Sequence, residues 1–285
     1  QHSDSARDVF DVAEESLGQA FNQTMFYGPS EDLIVPSIAQ PAVLIASIAC
    51  LCAMNEYMKA SVFPSPLFVA GNSLGQLTSA VAVGAISLED AIWLARQRGL
   101  IMEAASKEYP GTTASIIGLD QIVITEIARQ SGVDVVNEEA VDRFALAGAK
   151  LPMARAIDLA MARGAVRSIL TESVGAAHTA LMNKAVEELR RCIAEIEFRD
   201  PLVPIISLGS LAPLQESDLV RRELANELCA PLRWKASLEF MSAQGVQRFV
   251  EIGPGQVLSS LVRTWIPSAD AIALSGPTSI QGMLR

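Results

Sequence analysis

The chain has 285 residues, half of them apolar and 19% charged, with a formal net charge of −10. That length excludes a single small module and suits one large α/β domain, or a main domain carrying a smaller inserted one. The apolar share excludes wholesale disorder, and the acidity argues against a nucleic-acid partner, whose phosphates need clustered Lys and Arg.

In chain order, a helix is predicted from Arg7 to Leu17, with Val9, Phe10, Ala13 and Leu17 on one face and Gly18 as its stop. Pro41 to Tyr57 reads as a helix apolar nearly all round, hence buried under other layers. Its longest apolar run, Pro41 to Met54, is 14 residues and falls short of a bilayer span, so no membrane partner is expected. Leu67 to Ala70, bounded by Pro64, Pro66 and Gly71, suits a buried parallel strand, and a helix from Leu74 to Val83 follows at once. Ser87 and Asp90 form a weak capping box that opens a helix to Ala105.

The rhythm then changes. Thr112–Leu119 is predicted as a strand, Ile122–Gln130 as a helix, Val133–Val136 and Arg143–Ala147 as strands, Leu151–Arg163 as a helix and Val166–Leu170 as a strand. This βαββαβ order is the ferredoxin-like split unit, which predicts a small inserted domain at 110–172 between the two parts of a main α/β domain, 1–109 and 173–285. Beyond it come helix Lys184–Ile196, strand Val203–Leu208, helices Asp218–Leu228 and Leu238–Ala243, strand Phe249–Ile252, helix Gln256–Val262 and strand Ala271–Leu274. Strands alternating with helices predict a mostly parallel sheet covered on both faces. Cys50, Cys52, Cys192 and Cys229 have no CxxC spacing and read as thiols buried in a reducing compartment, the cytoplasm, with neither disulfide nor zinc site; no secretory signal opens the chain.

Gly71-Asn72-Ser73-Leu74-Gly75 lies between a predicted strand and a predicted helix. GxSxG in that setting is a nucleophile elbow: the glycines permit close packing on both sides of a sharp turn that pushes the serine hydroxyl out of the sheet. The Leu74 N–H, at the start of the helix, is placed to stabilise an oxyanion. A plain turn between small residues is the other reading of the same pentapeptide. A serine nucleophile needs a base, and the chain has two histidines, of which His2 sits in a polar terminus that reads as mobile. His178, in Gly175-Ala176-Ala177-His178-Thr179-Ala180-Leu181-Met182, is therefore the candidate, with small neighbours that would let a substrate approach; a capping role near the helix after it is the alternative. On the helix after Ser87, Ala91, Leu94, Arg98, Ile101, Met102 and Ala105 share one stripe. An arginine on an apolar face needs an acceptor, which leaves open a bound carboxylate, an internal Asp or Glu, or escape of the head to the surface.

Taken together, Ala39-Gln40-Pro41-Ala42-Val43-Leu44, Gly71–Gly75, Arg96-Gln97-Arg98-Gly99-Leu100-Ile101-Met102, Ala177–Met182 and Glu251-Ile252-Gly253-Pro254-Gly255-Gln256-Val257-Leu258 resemble the malonyl-CoA:acyl carrier protein transacylase family, including polyketide synthase acyltransferase domains. The resemblance covers nearly the whole chain. It implies a hydrolase-like α/β domain with a ferredoxin-like insertion, and a serine acyltransferase that moves a malonyl-type group from CoA to the phosphopantetheine thiol of an acyl carrier protein. Ser73 matches the acylated serine and His178 the general base. Arg98 matches the arginine that pairs with the acyl carboxylate, Gln40 and Met102 the acyl pocket, and Leu74 the oxyanion donor. The family holds its imidazole by a main-chain carbonyl, here near Glu227. No cofactor is implied, since acyl-CoA is itself a substrate. Departures are Asn72 for the usual histidine, Gln76 for the usual acid, Asn137-Glu138-Glu139-Ala140 for an Asn-rich stretch, and no match to the family's opening glycine-glutamine loop before Arg7. Release of acyl groups to water, or a non-catalytic docking role, are the competing functions.

Overall fold

Proline at a first helical position sacrifices an N–H that has no partner there anyway, and Pro36 opens α3 (Pro36–Met58) in this way. The computed structural model describes residues 3–58, 65–171 and 175–283 of the chain; His2 and Pro64 lie outside them. Helix α3 runs longer than its apolar core predicts. At 23 residues it has the length and composition of a membrane span, but most of its apolar window is buried inside the protein. It is covered by α1 (Asp4–Leu17), α4 (Leu74–Ala82) and α5 (Leu88–Glu108), with Leu44, Ile45 and Ile48 among the buried contacts. The Ser3 hydroxyl caps α1, accepting from the Ala6 N–H at 3.1 Å. Gly18, at φ 84°, ends α1 and begins α2 (Gln19–Tyr27), a helix that the sequence reading lacked.

The middle of the chain forms β1 (Gly111–Ile117), α6 (Gln121–Ser131), β2 (Asp134–Ala140), β3 (Arg143–Ala149), α7 (Lys150–Ala162) and β4 (Arg167–Thr171). Its strands pair antiparallel in the order β2-β3-β1-β4, with Ala114 opposite both Leu146 and Leu170. One face carries α6 and α7 over a core of Ile116, Ile124, Ile127, Phe144 and Met153. Asp120 caps α6 by accepting from the Val123 N–H, and Gly132 closes it in the left-handed conformation, so both ends of that helix follow from local chemistry.

Outside that sheet the pairings are mixed, a correction to the mostly parallel sheet expected. Strands β7 (Arg248–Ile252) and β8 (Asp270–Leu274) are parallel, whereas β5 (Ile205–Ile206) and β6 (Pro213–Leu214) are antiparallel. The expected strand Leu67–Ala70 is a single parallel bridge, Val69 to Ile205, made by Val69 N–H to Pro204 O and Ile206 N–H to Val69 O. Pro66 and Pro204 have no N–H to extend it. The remaining helices are α8 (Asn183–Ala194), α9 (Ser217–Asn226), α10 (Trp234–Ala243), α11 (Val257–Trp265) and α12 (Pro277–Met283). The helix expected at Asp218–Leu228 does not run through: α9 stops at Asn226 and the chain tightens into a 3₁₀ turn, Glu227–Cys229. The four cysteines are free and half-buried rather than fully enclosed.

Candidate active site

Ser73 precedes α4 with φ 52° and ψ −116°, a conformation that costs a non-glycine residue about 1–3 kcal/mol. The turn is sharp because Gly71 lies against the backbone beyond it. A Cβ at Gly71 would stand 1.9 Å from the Gly75 carbonyl group, so no other residue fits. Gly75 differs: a Cβ there would meet nothing within 4 Å, and the expectation that both glycines serve packing is corrected to the first alone. Gln76, where the family carries an acid, is 2% exposed and ties α4 to β5 through its Nε2 and the Ile206 carbonyl at 2.9 Å. Asn72 leaves its Oδ1 buried without a partner among the described residues.

His178 is the second of three non-glycine residues with positive φ among those described, at 64°. Its main chain is fixed by its N–H donating to Leu228 O at 2.8 Å, and its ring nitrogens lie 2.9 Å from Glu227 O (Nδ1) and 3.0 Å from Ser73 Oγ (Nε2). A carbonyl can only accept, so Nδ1 carries the proton and Nε2 offers its lone pair to the serine hydroxyl. Burial first, and then the Arg98 charge, lower the imidazole pKa to about 4, so the ring is a neutral base at pH 7. The small residues before it do not form an approach path as expected. Ala176 and Ala177 are buried; a Cβ on Gly111 would come within 2.5 Å of the Ala176 Cβ, and one on Gly175 within 2.2 Å of Ser106 Oγ. They are small because the loop is wedged between β1 and α5. Thr179 serves the cap, accepting from the Leu181 N–H at 3.2 Å.

Arg98 is 3% exposed on the predicted stripe of α5, with Ala91, Leu94, Ile101, Met102 and Ala105 buried beside it. Gly99 brings that helix against α3, since a Cβ there would lie 2.4 Å from Pro36 O. The close crossing delivers Gln40 to the guanidinium: Nη1 donates to Gln40 Oε1 at 2.6 Å, and Gln40 Nε2 reaches Met102 Sδ at 3.1 Å. Nη2 donates to Ser73 Oγ at 3.0 Å. Five of the expected residues are thus linked: His178 and Arg98 meet on the Ser73 oxygen, and Gln40 and Met102 lie behind it on the guanidinium. Leu74 opens α4 next to Ser73, where helix N–H groups have no acceptor within the helix. The residue that sequence reasoning missed as a side chain is Glu227. Its Oε1 accepts from Arg98 Nε at 2.9 Å and Nη2 at 2.6 Å. Burial raises its carboxyl pKa above the usual range, against the pull of Arg98. The signal available was a single acid in the otherwise uncharged, mostly apolar stretch Leu224 to Ala230, which if buried needs a cation as much as Arg98 needs an acid.

A cavity of about 620 Å³ lies between α6, β2 and the segment Pro231–Glu239, and none of Ser73, Leu74, His178, Arg98, Gln40, Met102 and Glu227 lines its wall. Among the described residues no cluster of three or more His, Cys, Asp or Glu is placed to hold a metal ion.

The acyl transferase domain family matches residues 2–275. The malonyl CoA-acyl carrier protein transacylase of Bacillus subtilis strain 168 is 33% identical over 282 residues, which cover 97% of this chain and 87% of that protein. An acyl-carrier-protein S-malonyltransferase from Bartonella henselae superposes with a TM-score of 0.91 at 29% identity, covering 99% of this chain and 90% of its own. A malonyl-transacylase solved in complex with its type II polyketide synthase acyl-carrier protein gives 0.91 at 31%, covering 98% and 91%. With a match over nearly its whole length and relatives at this identity, the chain belongs to the acyl transferase domain family that includes the malonyl CoA-acyl carrier protein transacylases.

Proposed function

We propose that this chain moves a malonyl-type acyl group from CoA to the phosphopantetheine thiol of an acyl carrier protein through an acyl-Ser73 intermediate. The observation that carries the reading is the Ser73 Oγ to His178 Nε2 contact of 3.0 Å, with Arg98 Nη2 on the same oxygen. In the first half-reaction the hydroxyl proton passes to Nε2 as Oγ attacks the thioester carbon. The tetrahedral oxyanion faces the Leu74 N–H, the C–S bond breaks, and the CoA sulfur leaves with the proton from Nε2. The second half-reaction reverses these roles. The pantetheine thiol yields its proton to Nε2, its sulfur attacks the acyl-serine, and Ser73 recovers its hydrogen. Glu227 O holds the imidazole in the required tautomer throughout, without a carboxylate in that position. Arg98 is the receptor for the acyl carboxylate, with Gln40 and Met102 completing the pocket.

We read residues 110–172 as a ferredoxin-like subdomain inserted in a hydrolase-like domain, a reading supported by the βαββαβ order and its separate apolar cluster. We also read the chain as a cytoplasmic protein that needs no cofactor beyond its acyl-CoA substrate. The test is incubation with malonyl-CoA and a phosphopantetheinylated carrier protein, followed by intact-mass measurement of both. Transfer of a malonyl mass to the carrier, and its loss in Ser73→Ala, is the expected result. Free malonate with an unmodified carrier would replace transfer by hydrolysis, and loading of Ser73→Ala at the wild-type rate would remove the nucleophile.

A further inference from the structure

The guanidinium assigned to the substrate's carboxylate already holds one. Arg98 Nε and Nη2 converge on a single oxygen of Glu227, Nη1 is taken by Gln40, and Nη2 also reaches Ser73. Both ionic side chains are 4% exposed, and Glu227 Oε2 is buried with no partner among the described residues. An arginine fork is built to bind two oxygens in parallel. Here it receives one, while the other lone pairs of the carboxylate go unsatisfied in the interior, at a cost that a well-made structural ion pair avoids.

An arriving acyl carboxylate needs that same edge of the guanidinium. Two anions on one edge of so buried a guanidinium repel each other. Nor can Glu227 step aside as an anion. Gln40 from α3 and Ser73 from α4 are neutral, the His178 ring has its Nδ1 proton on the Glu227 carbonyl, and Glu223 of α9 adds like charge. Arg190 of α8 is engaged by Asn226, and Arg233 donates to the carbonyl of Gly209, which lines an adjoining cavity. That cavity, of about 80 Å³ and walled also by Glu223, Asn226, Glu227 and Ala230, gives an uncharged carboxyl room to turn. We propose that Glu227 is the resident occupant of the acyl-carboxylate site, and that a malonyl-type group displaces it from Arg98 with uptake of one proton from solvent onto the Glu227 carboxyl. The inference rests on the reading of Arg98 as carboxylate receptor. It gives the site a specificity residue beyond the arginine: an uncharged acyl group leaves Glu227 in place and takes up no proton.

The test compares Ser73 acylation by malonyl-CoA and acetyl-CoA across pH in the wild type and in Glu227→Gln. The wild-type KM for malonyl-CoA should rise with pH, by up to about tenfold per unit on the alkaline side of the Glu227 ionisation, while that for acetyl-CoA does not follow it. Glu227→Gln should flatten the malonyl profile and lower KM at the alkaline end. Should that variant fail to fold, calorimetry of wild-type malonylation in buffers of different ionisation enthalpy decides: about one proton more is taken up with malonyl than with acetyl. Equal proton uptake, or coincident malonyl profiles in wild type and variant, overturns the proposal while leaving the transferase reading intact. Absence of malonyl loading in the wild type removes that reading itself, and this inference with it.

Discussion

On one side of the Ser73 oxygen stands a neutral imidazole held by a main-chain carbonyl; on the other stands a buried guanidinium held by a carboxylate. The imidazole side is built from backbone. Positive φ at Ser73 and His178, the Gly71 contact and the 3₁₀ turn at Glu227 aim two nitrogens without adding charge. The guanidinium side is built from side chains on α3, α5 and the same 3₁₀ turn, and its energy lies in a desolvated ion pair. A base held by backbone keeps its geometry whichever acyl group arrives. An ion pair responds to the charge of the ligand, and so can discriminate.

The largest effect expected from this contrast falls on the imidazole side. His178→Ala should lower the rate of Ser73 loading by about 10⁴-fold for malonyl and acetyl alike, since the proton step is common to both. A loss confined to malonyl would break the comparison. Next comes Arg98→Ala, which should reduce malonyl loading far more than acetyl, visible as a reversed substrate ratio. It should also destabilise the protein by about 3–5 kcal/mol in denaturant unfolding, because Glu227 is left buried and unpaired. Adding Glu227→Gln should return part of that stability, and an additive double mutant would deny that the two side chains are coupled.

The smallest effect is a pH dependence. The His178 pKa, about 4 when folded against 6.5 for the ordinary group, means that between these values the unfolded chain binds a proton that the native one refuses. The imidazole term therefore makes stability fall as pH drops through that window, by on the order of 3 kcal/mol at its foot. Glu227 works in the opposite direction, its raised pKa adding native protonation as pH falls. The difference between wild type and His178→Gln unfolding curves isolates the imidazole contribution, and a flat difference from pH 6.5 to 4 would show that the ring is not desolvated.

Legibility in the sequence divides along related lines. The stripe of α5 was readable because helical periodicity puts Arg98 with Leu94 and Met102 whatever else the protein does, and all three are buried as expected. The order of elements from β1 to β4 was readable because strand and helix patterning act over a few residues, and the caps found at Asp120 and Gly132 are equally local. The second helix, α2, was hidden by its own start, since Gly18 reads as a stop while it also serves as the next N-cap. The break of α9 at Asn226 was hidden because nothing in Asp218–Leu228 interrupts helical spacing; the hydrogen bond between the His178 ring and the Glu227 carbonyl in the 3₁₀ turn spans 49 residues.

Local chemistry therefore singled out the candidate residues: a serine framed by a glycine that must be small, a histidine, and an arginine stranded on an apolar face. Only tertiary structure decided what those groups meet. The Arg98 partner lies 129 residues downstream, and the Ser73 partner 105. Choosing among the acids and histidines of a chain is a matter of packing and desolvation across distant segments, which spacing along the sequence does not encode.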